Sequence, residues 1–255
     1  MIKNGLVIPL LLLITPAISQ TTHTSQTFWS SQSQPVISFS FGGTKAKVGN
    51  SQEFSIAGDI DNYDYNASHS NTKKFILGTF IGLENVLKNN FIVQLGLSFY
   101  YLPDNFTSGN GVLTQGIDAQ SSDTYNYNYE IKNRQLMLEG KLLKKLKQSY
   151  YPYVSFGLGS SFNQTINYQT TVPSTLTFTP QFSSNKNISF AYKIGVGVDW
   201  QIQDFWRLGI GYRFADLGKA NLGSGAIDTT PFSQTLMQNH LYTQEVLVQL
   251  TFMFA

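Results

Sequence analysis

Eight stretches of this chain alternate apolar with small or polar residues at a period of two, and the connections between them are alternately long and short. A period of two is the spacing at which side chains leave opposite faces of a strand, so each stretch predicts a β-strand with one apolar face. The stretches lie at about 36–47, 73–84, 91–100, a segment ending near Leu142, 151–162, 188–202, 206–214 and 242–254. The sixth is the clearest: Ile188, Phe190, Tyr192, Ile194, Val196, Val198, Trp200 and Ile202 alternate with Ser189, Ala191, Lys193, Gly195, Gly197, Asp199 and Gln201. In the second, Phe75, Leu77, Ile81 and Leu83 share a face, but Ile76 and Phe80 blur the parity and leave its facing open.

Polar stretches of roughly two dozen residues follow the first, third, fifth and seventh strands, while the other joints are short turns near Val86–Asn90, Leu143–Ser149 and Gln203–Asp204. A soluble meander has no reason to alternate in this way. A barrel that crosses a membrane does, with tight turns on one side and long loops on the other. The expected fold is therefore all-β, an eight-stranded antiparallel up-and-down transmembrane β-barrel. Only 13% of residues are charged, yet no long apolar run follows the first twenty positions. That pairing fits strands whose two faces average to a mild hydropathy. A secreted barrel with the faces reversed would need Arg207, Arg213, Lys193 and Glu245 to line an apolar ligand pocket, which is physically costly.

Lys3, the apolar run Leu6 to Ile14 and the small residues of Ala17-Ile18-Ser19 make residues 1–19 a signal peptide with cleavage expected after Ser19. The run is short and broken by Pro9, too little to span a bilayer as a helix. Residues 20–35, rich in Ser, Thr and Gln, are expected to be a polar periplasmic leader, and 36–255 the barrel with four long extracellular loops. Export to the cell outer membrane follows.

The formal net charge of +2 and the lack of a basic stripe argue against a nucleic-acid partner. No cysteine is present, and Glu53, Asp59, Asp61 and Asp64 match no EF-hand spacing, so neither a metal nor a cofactor is expected. Among His23, His69 and His240, only His69 has an adjacent hydroxyl, Ser70, and no carboxylate orienter can be assigned by spacing. The chain does not read as an enzyme.

GYRFADLGK, at Gly211 to Lys219, resembles the "YRY-D-G" stretch of the opacity-type and OmpA-like outer-membrane β-barrel families, small surface-antigen barrels of Gram-negative bacteria. YYPYVSFGLG (Tyr150 to Gly159) and AYKIGVGVDWQI (Ala191 to Ile202) resemble their preceding strands "PYVGAGVG" and "GVGVDY". The resemblance covers about the last hundred residues, and Tyr212, Arg213, Phe214, Asp216 and Gly218 carry its motif. It implies a surface protein whose barrel anchors loops for adhesion or for host or envelope contact. It also implies a C-terminal aromatic read by the barrel-assembly machinery, here Phe252 and Phe254, with Ala255 following. A narrow pore for small solutes or ions and a rim-located lipid-modifying enzyme are the alternatives.

An eight-stranded barrel is just wide enough for side chains to fill, and charges on the inner face must be paired. Lys193, Arg213 and Glu245 fall at similar heights on adjacent strands and are expected to form an ion-pair cluster. Asp199 and Arg207 would form a lower group, with Glu139 and Lys141 facing the same lumen. Lys45 and Lys47, outward near the extracellular end of the first strand, are candidates for contact with lipopolysaccharide phosphates. Tyr125, Tyr127 and Tyr129 disagree in parity with Leu136 and Leu138, which predicts a bulge between Ile131 and Arg134 and a Tyr/Asn ribbon at the membrane interface or rim. The partners expected are outer-membrane lipid and lipopolysaccharide, the assembly machinery and possible host surfaces, for a protein that is otherwise a monomer.

Overall fold

Each alternating stretch is a strand in the computed structural model, which describes residues 33–68, 73–118, 121–146, 149–172 and 178–254. The expected signal peptide, the leader through residue 32, His69, Ser70 and Ala255 lie outside the described residues. The strands are β1 (Gln34–Lys47), β2 (Gln52–Ser55), β3 (Asn62–Ser68), β4 (Lys73–Val86), β5 (Phe91–Gly116), β6 (Asp123–Lys144), β7 (Tyr150–Thr171), β8 (Gln181–Phe182), β9 (Asn185–Gln203), β10 (Trp206–Asp216), β11 (Gly225–Ile227), β12 (Thr230–Phe232) and β13 (Tyr242–Met253). Eight of them, β1, β4, β5, β6, β7, β9, β10 and β13, pair antiparallel with their neighbours, and β1 pairs with both β4 and β13, so the sheet closes on itself. Closure removes every free edge in the ring, which is what backbone polar groups require in hydrocarbon.

The outward rows are apolar and exposed, including Phe39, Leu77, Ile81, Leu97, Leu138, Phe156, Ile194, Ile210 and Val246. Such a face is stable only against lipid. On β4 the ambiguous parity resolves with Phe75, Leu77, Ile81 and Leu83 outward and Ile76 and Phe80 buried in the lumen. At the end of the ring that carries the short turns, Trp206 packs on Phe252 with ring centroids 4.8 Å apart, and Tyr150 stacks on Trp200 at 6.3 Å. This is the interfacial position that amphipathic rings prefer.

Two expectations fail above the membrane. First, the polar stretch between the third and fourth ring strands is not a long loop: β5 and β6 run for 26 and 22 residues, with only six residues of sequence, 117–122, between them. At ~3.3 Å per residue β5 is ~85 Å long, whereas a tilted strand of about ten residues crosses the bilayer. Much of the β5–β6–β7 sheet therefore stands beyond the bilayer. Second, β6 has no bulge between Ile131 and Arg134, because its burial alternates without a break from Tyr125 to Leu143. The register shifts fall on its neighbours, between Leu102 and Thr107 on β5 and opposite Asn128–Glu130 on β7, where Asn167 has φ 56°. Tyr125, Tyr127 and Tyr129 belong to the inward row throughout. They are buried, and form neither an interface girdle nor an exposed ribbon.

The interior is layered. Val36, Phe80 and Met253 form one apolar cluster near the short-turn end, and Ile92, Leu143 and Tyr151 another. Charged side chains fill the middle. Above them the inward rows of the extended strands, with β2, β3 and the small sheet β8–β11–β12, enclose a continuous hydrophobic core.

Candidate functional site

Four buried ion pairs occupy the middle of the lumen. Lowest is Glu84, which accepts both arms of the Arg207 guanidinium at 2.6 and 2.8 Å and the Gln94 amide at 2.7 Å. The Arg207 guanidinium lies 4.6 Å over the Tyr151 ring. Lys141 donates to Asp199 at 2.6 Å and to Gln249 at 3.0 Å, over the face of Tyr153 at 3.8 Å. Lys193 pairs with Glu139 and donates to Ser98 at 3.1 Å. Arg213 donates through Nε to Glu245 at 2.6 Å, and Thr243 donates to the same carboxylate at 2.9 Å. The Tyr100 ring is held between Lys193 at 3.9 Å and Arg213 at 3.8 Å, and its hydroxyl donates to Glu139 at 3.2 Å. Cation on ring face and carboxylate on cation are the arrangements that compensate charge removed from water.

The partners differ from those read off strand adjacency. Only Arg213 and Glu245 sit opposite each other on neighbouring strands. Lys193 does not join them; it reaches from β9 over β7 to Glu139 on β6. Asp199 is held by Lys141, and Arg207 crosses the lumen to Glu84, not to Asp199. A glycine explains the first crossing: Gly157 lies in register between Lys193 and Glu139, and a Cβ there would stand 2.5 Å from the lysine's Cε. Likewise the Tyr153 hydroxyl lies 2.1 Å from where a Gly211 Cβ would be. Lumenal glycines thus seat long side chains rather than open a channel. Among these side chains lies a cavity of about 20 Å³ bordered by Tyr100, Tyr153, Arg213 and Gln249, room for about one water. Glu84 escaped the sequence reading, although the seven charges singled out there carry four cations and only three anions. That imbalance, with buried charge needing a partner, was the signal for it.

The cap above is built from aromatic rings. Tyr65 packs edge-on to Tyr127 at 5.2 Å and stacks on Phe54 at 5.5 Å, and Phe182 meets Tyr168 at 5.1 Å and Phe232 at 5.7 Å. The Tyr65 and Tyr168 hydroxyls are 3.4 Å apart, and Thr170 donates to Tyr168 at 3.0 Å. Burial pushes the Tyr127 phenol up to about 12, and those of Tyr65 and Tyr129 higher still. At the margin, the Tyr63 hydroxyl donates to Asp59 at 2.7 Å and holds that carboxyl below its ordinary value.

The motif residues at the end of β10 face different ways. Tyr212 is exposed outward, Arg213 is in the lumen, and Phe214 stacks on Tyr242 at 5.7 Å. Asp216 accepts from the backbone N–H of Gly218 at 2.9 Å, and Gly218 has φ 66°, a left-handed turn that favours glycine. The other Asp216 oxygen is 2.8 Å from Nδ1 of His240, which stacks on Tyr242. His240 therefore has a carboxylate orienter that spacing did not show. No side-chain hydroxyl hydrogen-bonds to the His240 ring among the described residues. No cluster of residues able to hold a metal occurs among the described residues. Lys45 and Lys47 are exposed on the outer face of β1; Phe252 points outward on β13, and Phe254 follows that strand, its N–H bonded to the Pro35 carbonyl at 3.0 Å.

Comparison with known proteins returns one family model, described as outer membrane protein beta-barrel domain, matching residues 34–254. No curated protein matches the sequence. Among solved structures, Neisserial surface protein A, from Neisseria, is 10% identical with a TM-score of 0.44, over 86% of this chain and 97% of that one. OprG of Pseudomonas aeruginosa is 11% identical with a TM-score of 0.42, over 87% and 96%. The outer membrane protease OmpT of Escherichia coli is 7% identical with a TM-score of 0.47, over 87% and 97%.

Proposed function

The chain belongs to the outer membrane protein β-barrel domain family, and on that premise we propose that it is a non-enzymatic surface anchor that presents a folded extracellular cap for adhesion or for contact with host or envelope molecules. The observation that carries this reading is the cap itself. Strands of 26, 22 and 22 residues rise past the bilayer and enclose an aromatic core, above a lumen filled by ion pairs. An ordered aromatic cap beyond the membrane, over a lumen filled by ion pairs, suits recognition better than passage. Aromatic packing links β3, β6, β7, β8 and β12, so the outer surface is presented as a rigid platform that loses little entropy on binding.

The same reading assigns residues 1–19 as an export signal and Phe252 with Phe254 as the residues offered to the barrel-assembly machinery. The molecule is taken to act as a monomer, since the ring closes without a second chain. The test is a variant in which residues 103–132 are removed and Leu102 is joined to Asn133, its register partner, by a short glycine-rich turn. The variant is expected to insert and to show heat-modifiable migration on a gel, while cells displaying it lose attachment to epithelial or matrix-coated surfaces. Undiminished attachment would overturn the proposal.

A further inference from the structure

The row of outward side chains is interrupted on β1. Gly43 faces lipid, between Val246 of β13 and Phe75 of β4 in the two registers, and a Cβ placed there would meet nothing within 4 Å. The gap forms part of a groove of about 270 Å³ bordered by Lys45, Tyr212, Gln244 and Val246. Its floor and walls are apolar, whereas its upper end is cationic. Lys45 and Lys47 stand one and two outward positions above Gly43, both exposed. Lys73 is the register partner of Lys45 on β4, and Gln244, neutral, is its partner on β13. Neither Lys45 nor Lys47 takes part in an ion pair among the described residues. Every lumenal lysine named above has its carboxylate, so these two differ in being left for something outside the protein.

We propose that this groove holds one phosphorylated acyl lipid of the outer leaflet, with an acyl chain lying over Gly43 and a phosphate bridging Lys45 and Lys47. An ammonium on a flexible stem near the interface snorkels to lipid phosphate, and a glycine notch admits a chain that a larger residue would exclude. The site rests on the orientation argued above, with the cap outside the cell. It lies on the barrel wall, away from the cap surface.

Native mass spectrometry of the full chain, refolded in detergent and checked by heat-modifiable migration, tests it with three probes: bisphosphorylated lipid A, the same lipid dephosphorylated, and inorganic pyrophosphate. One bisphosphorylated lipid per barrel is expected to survive. Removing both lysines, K45A with K47A, should weaken retention by about thirtyfold, the effect of two interfacial charges. Gly43→Leu should weaken it with both lysines intact. Equal retention of dephosphorylated lipid would make the lipid a non-specific coat, and displacement by pyrophosphate would make the site a simple anion site; either outcome overturns the proposal. The 103–132 deletion separates the two readings, since it is expected to abolish attachment and leave lipid retention unchanged.

Discussion

Glu84 shows how much of the lumen rests on single atoms. Its two oxygens accept from both terminal nitrogens of Arg207, so Glu84→Gln leaves a guanidinium buried without a counter-charge. A loss of about 3–5 kcal/mol is expected, read as a lowered urea midpoint for unfolding from lipid vesicles. Replacing both partners, Glu84→Leu with Arg207→Leu, should restore much of it, because the cost lies in the orphaned charge rather than in the missing bond. A double variant no more stable than Glu84→Gln would contradict this. Seven of the inward charges were legible in the sequence from parity; Glu84, on the strand whose parity was blurred by Ile76 and Phe80, was not. Which charge meets which was not legible either. Pairing across the lumen depends on the reach of a side chain and on what stands in its way, and Gly157 clears the path for Lys193 only once β6, β7 and β9 are in register.

The ring strands were legible as elements because a lipid-facing row must be apolar at every second residue. Above the membrane that constraint ends. The upper half of β6 reads as an alternation of Tyr with Asn, and the sequence does not say that the tyrosines turn inward; that follows from β3 and β7 converging on them. Burial of these phenols has a consequence in alkali. Their folded pKa values are raised, so the contribution is fully present below pH ~10, the unfolded phenol value, and is lost as pH climbs through about 12, where Tyr127 titrates in the cap. Absorbance of phenolate is therefore expected to rise in two steps, the later one together with loss of near-ultraviolet circular dichroism. One step at the ordinary phenol value would show that the cap is open. Phe182 lies at the centre of the rings, and Phe182→Ala should cost about 3–5 kcal/mol of cap stability. Hydrogen exchange should quicken in β3 and upper β6, while the membrane portion of β9 and β10 keeps its protection.

For the whole molecule, the layered interior predicts electrical silence. In planar bilayers the purified protein is expected to show no stable open channel, and sustained single-channel steps would contradict the filled lumen. The ion pairs also bear on how the barrel enters a membrane. Glu84 and Arg207 are separated by 123 positions, and Lys141 and Asp199 by 58, so neither pair can form in a hairpin. A half-assembled sheet would carry these charges bare toward hydrocarbon, at a penalty of several kcal/mol each, and would be driven back to water. The lumen thus works as a checkpoint on insertion. An incomplete ring is rejected by the lipid, and only the closed one, with its ledger of charge balanced, is free to stay.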